Sequence, residues 1–426
     1  MPSDTIFALS SGRPPAAVSI IRISGAAAHR AGEALGGSLP PVRTHVVRKL
    51  VDPATGALLD QALMLRFDGP ASATGEDIVE LHCHGGRAVV AAVLTALAAQ
   101  PGLREAEPGE FTRRAFALGR IDLTQAEGLA DLIAAETEAQ RKAALRIAGG
   151  GLRDVIEGWR ERVVALSARA EQAIDYADED GGGDDAGLRA DCAVLAGDLR
   201  AWIARPRAEP LKDGVKVVVA GPPNAGKSSL VNAIAGYDRA IVSASPGTTR
   251  DHIEVPLALG GVPIVLTDTA GLRDSPDAVE AIGVARVAAL IEGADVLLWL
   301  GDEPAPVHSV TLLAHARADL PGRVDVPAGR IAVSSLTGAG LPELLSAIQR
   351  AAEAVLPAAD MISLNRRQAD EVADANNSIT ATLQSLDLAV VADGLRQARH
   401  AFDRLTGRAG IDDLLDALFS RFCLGK

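Results

Sequence analysis

The chain has few aromatic residues, few cysteines and too little positive charge to balance its acids. Phe, Trp and Tyr make up 3% of the 426 residues, whereas 48% are hydrophobic, which favours a helix-rich fold packed with alanine and leucine. The three cysteines, Cys83, Cys192 and Cys423, are odd in number and far apart, so no disulfide framework is expected. The net charge of −13 excludes a basic surface over the whole chain, so contact with nucleic acid requires a local basic patch or a partner.

Long apolar runs are absent as well. No run approaches the roughly 20 residues needed to cross a bilayer, and residues 1–5 lack the basic and apolar regions of a signal peptide. We therefore expect a soluble, cytoplasmic protein without a membrane partner. The length predicts roughly two to four domains with sizeable cores.

The most informative motif is GPPNAGKS at residues 221–228, which matches G-x-x-x-x-G-K-[ST]. It follows a predicted strand over 215–220 and opens a predicted helix over 227–236, and this context makes the motif a phosphate cradle. Backbone N–H groups and the helix N-terminus can bind phosphate oxygens, Lys227 can reach the β and γ phosphates, and Ser228 can bind Mg²⁺. A tight turn that binds no ligand is the alternative.

Patterns along the chain predict three kinds of structure. Residues 1–118 combine short β-rich runs with one helix near 86–99, which indicates an α+β domain. Apolar residues at helical spacing in 119–210 and again in 358–426 indicate an all-α domain that is discontinuous in sequence. Residues 211–357 alternate strands and helices, so we expect an α/β P-loop GTPase domain inserted into the helical one. Its strands are predicted at 215–220, 252–259, 262–267, 295–300, 308–314 and 330–334, and its helices at 227–236, 279–292 and 341–355.

Two further elements of this domain are typical of a GTPase. Thr249 lies in a Gly-Thr-Thr-Arg run, where a threonine can bind Mg²⁺ and sense the γ phosphate. Asp268 and Gly271 form an Asp-x-x-Gly element, in which the carboxylate can hold Mg²⁺ through water. The predicted GTP-binding residues are Asn224, Ala225, Gly226, Lys227, Ser228, Ser229, Ser243, Ala244, Ser245, Pro246, Gly247, Thr248, Thr249, Asp268, Thr269, Ala270, Gly271, Asp319, Ser334, Ser335 and Leu336.

The residue after Gly271 determines how water can be activated. Ras-like GTPases have a Gln there, whereas this chain has Leu272, which cannot orient water. We predict that Glu280 is the catalytic residue that orients water instead. The alternative is that Glu280 only stabilises the start of a helix.

The base-recognition motif departs from the usual Asn-Lys-x-Asp, because residues 316–319 read Ala-Arg-Ala-Asp. Asp319 can still accept hydrogen bonds from guanine N1–H and N2–H, and the stem of Arg317 can lie along the base. Ala316 removes one polar contact, at a cost of about 1 kcal/mol. We therefore expect guanine to be preferred but bound more weakly.

Four segments outside the nucleotide site, together with these motifs, make the chain resemble the MnmE (TrmE) family of tRNA modification GTPases. They are Asp4-Thr5-Ile6 with residues 20–25, residues 74–86, residues 108–116 with 122–127, and the terminal Phe422-Cys423-Leu424-Gly425-Lys426. The resemblance covers nearly the whole length and implies the TrmE-Era-EngA type of translation-factor-related GTPase.

The resemblance also implies a reaction and its partners. In this family a homodimer joins the FAD-binding subunit MnmG in a heterotetramer, which adds an aminomethyl or carboxymethylaminomethyl group to C5 of the wobble uridine of certain tRNAs. A tetrahydrofolate such as 5-formyltetrahydrofolate supplies the one-carbon unit, and the N-terminal domain binds it and dimerises. The matching folate-binding positions are Arg22, Glu80, Arg120 and Lys426, and Arg120 stands where Lys is common.

The family further uses K⁺ in place of an arginine finger. The matching positions for this ion are Asn224, Ser243, Ser245 and Thr248, and the family's water-orienting Glu falls on Glu280. Hydrolysis is then expected when two GTPase domains meet face to face across the dimer.

Two smaller groups of residues have open interpretations. His82, Cys83 and His84 resemble zinc ligands, but three adjacent residues cannot easily surround one ion. Cys423 is either a reactive thiol near Lys426 or a small buried residue. Two other functions are also open: a regulatory GTPase for assembly or ribosome maturation without folate chemistry, and a scaffold that binds nucleotide without hydrolysis.

Overall fold

A computed structural model describes residues 4–175, 185–237, 241–242, 253–269, 280–358, 361–385, 387–409, 412–420, 422 and 425. The chain divides into two compact units, Met1–Ala130 with Asp403–Lys426, and Asp131–Phe402. Over these described stretches, every helix is too short or too polar to span a bilayer.

The described elements follow one another from an N-terminal sheet through helices to a second sheet and back to helices. In chain order they are β1 (Thr5–Leu9), β2 (Val18–Ser24), α1 (Ala28–Gly36), β3 (His45–Val51), β4 (Leu58–Phe67), β5 (Ile78–His84), α2 (Arg87–Ala98), β6 (Leu103–Glu105), α3 (Glu110–Ala117), α4 (Leu123–Ala134), α5 (Glu138–Ala148), α6 (Gly151–Asp175), α7 (Asp185–Ile203), α8 (Glu209–Lys212), β7 (Val215–Ala220), α9 (Lys227–Ala235), β8 (Ile241–Val242), β9 (Ile253–Leu259), β10 (Val262–Asp268), α10 (Glu280–Glu292), β11 (Val296–Trp299), β12 (Thr311–Ala316), β13 (Ile331–Val333), α11 (Leu341–Val355), α12 (Arg366–Leu383), α13 (Leu388–Thr406) and α14 (Asp412–Phe419).

The first unit is built on a six-stranded sheet with the order β3-β4-β5-β2-β1-β6. Its strands pair antiparallel, except that β1 and β6 are parallel. Alternate residues of the strands pack with α1 and α2 in one core, in which Ile21, Ile23, Leu35 and Leu97 are fully buried. The predicted α+β character of this region is confirmed.

The second sheet has seven strands in the order β13-β12-β11-β7-β10-β9-β8. β13, β12, β11, β7 and β10 are parallel neighbours, whereas β9 runs antiparallel to both β10 and β8. β7 is central, so the loop that follows it leaves the sheet where parallel α/β sheets commonly bind ligands. Strands and helices alternate as predicted, which confirms the α/β P-loop domain and its place between helical segments.

One predicted strand is displaced. The pattern indicated a strand over 308–314, but β12 runs from Thr311 to Ala316. His308 lies before the strand, where its ring Nε2 is 2.9 Å from the Ala294 carbonyl oxygen and its Nδ1 is 3.0 Å from that of Val310. The Val310 N–H donates to the ring Nδ1 of His308 at 3.2 Å, so this side chain takes the backbone donor just before β12.

The helical part of the second unit packs around Trp159, which is 5% exposed. Its ring meets Trp202 edge-on at 5.3 Å between centroids and lies 5.8 Å from Phe402. The all-α prediction for this region is confirmed. At the start of α5, Thr137 and Gln140 form a capping box, and Gln140 Nε2 also donates a hydrogen bond to the Lys212 carbonyl oxygen at 3.0 Å.

Candidate GTP-binding site

The P-loop occupies the turn between β7 and α9. Gly226, at φ +94°, is the N-cap of α9, and Asn224 also has a positive φ of +60°. These left-handed conformations turn successive N–H groups toward one point, at the N-terminus of a helix. Lys227 opens the helix and is 6% exposed, and its Nζ donates to the carbonyl oxygens of Gly221 (3.2 Å) and Pro222 (3.0 Å). The Lys227 ammonium group and the N–H groups of the helix N-terminus therefore lie together, as phosphate binding requires.

Asp268 and Thr269 lie beside the P-loop because β10 pairs with β7. Asp268 is in register with Val219 and is 3% exposed. Thr269 is 2% exposed and its Oγ1 donates to the Val219 carbonyl oxygen at 2.9 Å. A buried carboxylate at the end of β10, paired with the strand that leads into the P-loop, fits the oxygen ligands that Mg²⁺ prefers.

Several predicted residues lie outside the described part of the chain. They are Ser243, Ala244, Ser245, Pro246, Gly247, Thr248, Thr249, Ala270, Gly271, Leu272, Cys423 and Lys426. Glu280 is the first residue of α10, but its side chain is not described. Its predicted water-orienting role and its alternative as a helix-start residue therefore both stay predictions.

A cavity of about 420 Å³ adjoins the P-loop, within the usual size range of small-molecule sites. It is lined by Gly226, Ser229, Arg317, Asp319, Leu320, Ser335 and Leu336. Arg317, at φ +58°, crosses the P-loop, and its Nε is 3.5 Å from the position that a Cβ would occupy on Gly226. The structure thus brings the predicted base residues Asp319, Ser335 and Leu336 to the same cavity as Gly226 and Ser229.

Ser334 shapes this cavity without lining it. The residue is 1% exposed, its Oγ accepts the Thr337 N–H at 3.1 Å, and its own N–H donates to the Ala339 carbonyl oxygen at 2.9 Å. Ala316 is 2% exposed and packs in the apolar core of the domain. Its side chain therefore offers the loop no polar contact of the kind that an Asn would make.

The structure also joins two of the predicted folate-binding residues. Arg22 on β2 and Glu80 on β5 are directly opposed, and the Arg22 Nε and Nη2 lie 2.9 and 2.8 Å from Glu80 Oε1. The Arg22 guanidinium lies 5.7 Å from the ring centroid of Phe111. Arg120 is exposed, and its Cγ is 3.2 Å from the position of a Cβ on Gly75.

A buried charge network centred on Arg114, which the sequence did not predict, lies in the same unit as this pair. Arg114 is 3% exposed and donates to Asp4 Oδ1 (3.1 Å), Glu76 Oε1 (3.1 Å) and Glu110 Oε1 (3.0 Å). Burial opposes ionisation of Glu110, but hydrogen bonds from Arg104 and Arg114 outweigh it and lower the pKa of Glu110. The spacing of Glu110 and Arg114 signals a helical pair, whereas Asp4 and Glu76 are remote in sequence.

The three adjacent candidate zinc ligands point to different surroundings. Cys83 is 1% exposed in the sheet core, and burial, with a contribution from Asp60, raises the pKa of its thiol to about 12. His82 Nε2 lies 3.4 Å from Glu80 Oε2, and His84 Nδ1 lies 2.8 Å from Asp60 Oδ1. Their arrangement cannot surround one ion.

Two family models together cover nearly the whole chain. Residues 5–120 match the family model described as GTP-binding protein TrmE N-terminus, and residues 123–423 match that of the MnmE helical domain. The tRNA modification GTPase MnmE of Erythrobacter litoralis is 51% identical over 425 residues, which are 99% of this chain and 100% of that protein. The MnmE of Novosphingobium aromaticivorans is 48% identical over 436 residues, covering 100% of both chains.

Among solved structures, the G domain of the T. maritima FeoB iron transporter shares 30% identity with a TM-score of 0.24. That overlap covers 32% of this chain and 98% of the other, and the TM-score is too low to support an argument. The family models and the full-length relatives are sufficient on their own: the chain belongs to the MnmE family of tRNA modification GTPases.

Proposed function

We propose that this GTPase uses K⁺-stimulated hydrolysis of GTP to drive modification of the wobble uridine of tRNA, together with the FAD-binding subunit MnmG. The proposed binding of GTP is supported by one observation: a single cavity is lined both by P-loop residue Gly226 and by Asp319. The family membership supports the tRNA part. In this proposal a homodimer and MnmG form a heterotetramer that adds the aminomethyl-type group at C5.

The proposed division of labour follows the three regions of the chain. Residues 1–118 bind folate and dimerise, residues 119–210 with 358–426 form the discontinuous helical domain, and residues 211–357 form the inserted GTPase domain. The alternation of a sheet unit, helices, a second sheet and further helices supports this division.

At the phosphates, Lys227 neutralises charge and the α9 N-terminus binds oxygens. Ser228 and Thr249 would hold Mg²⁺, with Asp268 acting through water, and the buried position of Asp268 supports this set. Asn224, together with Ser243, Ser245 and Thr248, would hold K⁺, which supplies positive charge to the transition state when bound. Glu280 would orient the attacking water, because Leu272 cannot.

At the N-terminal site, Arg22 is proposed to bind a carboxylate of 5-formyltetrahydrofolate and Glu80 to accept pterin N–H groups. Arg22 remains 25% exposed although it already pairs with Glu80, so it can share its donors with a ligand. Arg120 and Lys426 would add positive charge.

The GTPase proposal is tested by turnover in KCl and in NaCl at equal ionic strength. Wild-type protein should hydrolyse GTP faster in KCl, and Glu280→Ala should keep GDP affinity but lose turnover. Arg350→Ala, an exposed substitution on α11, is the matched control. Equal and negligible rates in both salts would instead favour the scaffold that does not hydrolyse nucleotide.

The modification proposal is tested by calorimetric titration with 5-formyltetrahydrofolate and by mass analysis of tRNA nucleosides from cells with and without the gene. Arg22→Ala should weaken folate binding by about tenfold, the loss of one charge-assisted contact. No folate binding by the wild type, with unchanged wobble uridine, would favour the regulatory GTPase.

A further inference from the structure

We propose that Arg323 is a positioning residue for guanine recognition, because it closes the loop that carries Arg317 and Asp319. The inference deepens the proposed binding of GTP and rests on it. We call residues 316–323 the base loop. Its first residue, Ala316, cannot make the side-chain contact of the Asn that usually stands there, so the loop needs another support.

The backbone of the base loop is a chain of short turns. The Leu320 N–H donates to the Arg317 carbonyl oxygen at 3.1 Å, and the Arg323 N–H donates to that of Leu320 at 2.9 Å. The Ala318 N–H reaches the Val333 carbonyl oxygen on β13 at 3.2 Å. These bonds bend the chain so that Arg323 returns to the end of β12.

Arg323 and the end of β12 then exchange hydrogen bonds. Arg323 Nε donates to the Ala316 carbonyl oxygen at 2.8 Å, and His315 Nε2 lies 3.0 Å from the Arg323 carbonyl oxygen. Arg323 Nη2 also lies 3.2 Å from His315 Nδ1. Because a guanidinium can only donate, Nδ1 accepts and Nε2 carries the proton, so a single tautomer of His315 makes both of its bonds with Arg323. The two ends of the base loop are thereby tied together.

The guanidinium is itself fixed on its other side by Asp302, which follows β11. Arg323 Nη1 and Nη2 lie 2.9 and 3.0 Å from the two Asp302 carboxylate oxygens, a bidentate pair. The hydrogen bond from Arg323 lowers the pKa of Asp302, against a small effect of burial. Arg330 in turn donates to the carbonyl oxygens of Gly301, Asp302 and Glu303, which holds the segment that presents Asp302.

The hydrogen bonds of Arg323 restrict the positions that Asp319 can occupy. His315 is 4% exposed and Ala316 is 2% exposed, so the point of attachment is largely screened from water. The Arg323 side chain is hydrogen-bonded to the Ala316 carbonyl oxygen, and only six residues lie between Ala316 and Arg323 in the chain. Asp319 lies midway along this segment. Loss of Arg323 leaves the Ala316 carbonyl oxygen and His315 Nδ1 without this donor and frees the loop to sample other positions.

The test compares GDP and IDP binding by wild-type protein, Arg323→Ala, Arg323→Lys and the control Arg350→Ala. IDP lacks the 2-amino group that Asp319 recognises, so the ratio of the two dissociation constants reports how well the loop is placed. Arg323→Ala should weaken GDP binding by about 5- to 30-fold and bring the GDP/IDP ratio close to one. Arg323→Lys, which can keep one contact but not the bidentate pair, should give intermediate values.

Steady-state turnover measured over a range of GTP concentrations gives a second readout. A displaced base loop should raise KM and leave kcat unchanged, because the phosphates and the P-loop do not depend on Arg323. The inference is overturned if Arg323→Ala retains the wild-type GDP/IDP ratio, whether or not thermal stability falls. Failure of the wild type to bind GDP would instead refute the proposed function, so the two failures are distinguishable.

Discussion

Two glycines in the loop that backs the base cavity offer a controlled test of how backbone geometry shapes the site. Gly340 has φ +75° and caps α11, and Gly338 has φ +77°. A Cβ on Gly340 would lie 1.8 Å from the Ala332 carbonyl oxygen, whereas a Cβ on Gly338 would meet no atom within 4 Å. An alanine would therefore have a strained backbone at both positions, but its Cβ would clash with the neighbouring strand only at Gly340.

The expected magnitudes follow from that difference. An alanine in the left-handed region costs about 1–2 kcal/mol, which is the whole effect expected for Gly338→Ala. Relieving the clash at Gly340 requires a shift of about 1 Å between α11 and β13, so Gly340→Ala should cost about 2–5 kcal/mol. Because the Val333 carbonyl oxygen on β13 holds the Ala318 N–H, that shift should also weaken GDP binding.

Hydrogen exchange of peptides covering β12 and β13 measures the local free energy of opening without assuming that the whole chain unfolds in one step. GDP titration gives the affinity of the same samples. Gly338→Ala should stay within about threefold of wild-type affinity, since one strained residue leaves the strand in place. Equal losses of stability and affinity for both variants would refute the clash as the cause.

Three further outcomes follow from the remaining geometry. Glu110→Gln should lower the stability of α3 by about 2 kcal/mol at pH 7, measured by hydrogen exchange. Because the pKa of Glu110 is lowered in the folded protein, its carboxylate stabilises the fold only while it is ionised, so the difference between the two proteins should shrink as the pH falls below the ordinary Glu pKa of 4.5. Cys83 should resist alkylation at pH 8 in the native protein and react in denaturant, since its thiol pKa is raised to about 12; rapid native labelling would contradict its burial. Thr137→Ala should cost about 1 kcal/mol at the start of α5, measured by exchange of its first-turn amides, with an exposed α5 change, Lys142→Ala, as the control.

The nucleotide-binding sheet could be predicted from sequence because its signals are local. The predicted strand over 215–220 and helix over 341–355 match β7 and α11, since apolar runs and flanking glycines specify both. The strand predicted over 308–314 was wrong by up to three residues, and the hydrogen bond that holds His308 outside the strand, to the Ala294 carbonyl oxygen, is tertiary. Residue type alone does not report such contacts.

The residues of the candidate site were likewise predictable only where the sequence signal is local. Ser229 and Asp319 were predicted as nucleotide-binding residues, and the structure places both around one cavity with Gly226. Arg114 and Arg323 were not found, because their partners come from separate strands and loops whose proximity appears only after folding. The motif predicted a nucleotide site, but not which residues support the ones assigned to it.

The side chain of Gln140 has a further consequence for how substitutions are tolerated. Its Oε1 accepts the Thr137 N–H at 2.9 Å and so begins a helix, while its Nε2 holds the Lys212 carbonyl oxygen, three residues before the strand that leads into the P-loop. Glutamate would preserve the acceptor but abolish the donor, and lysine would do the reverse. A substitution of Gln140 must therefore keep both an acceptor for the Thr137 N–H and a donor for the Lys212 carbonyl oxygen. A replacement that leaves α5 stable in an isolated helical fragment could still weaken the contact with the segment before the P-loop strand in the intact GTPase.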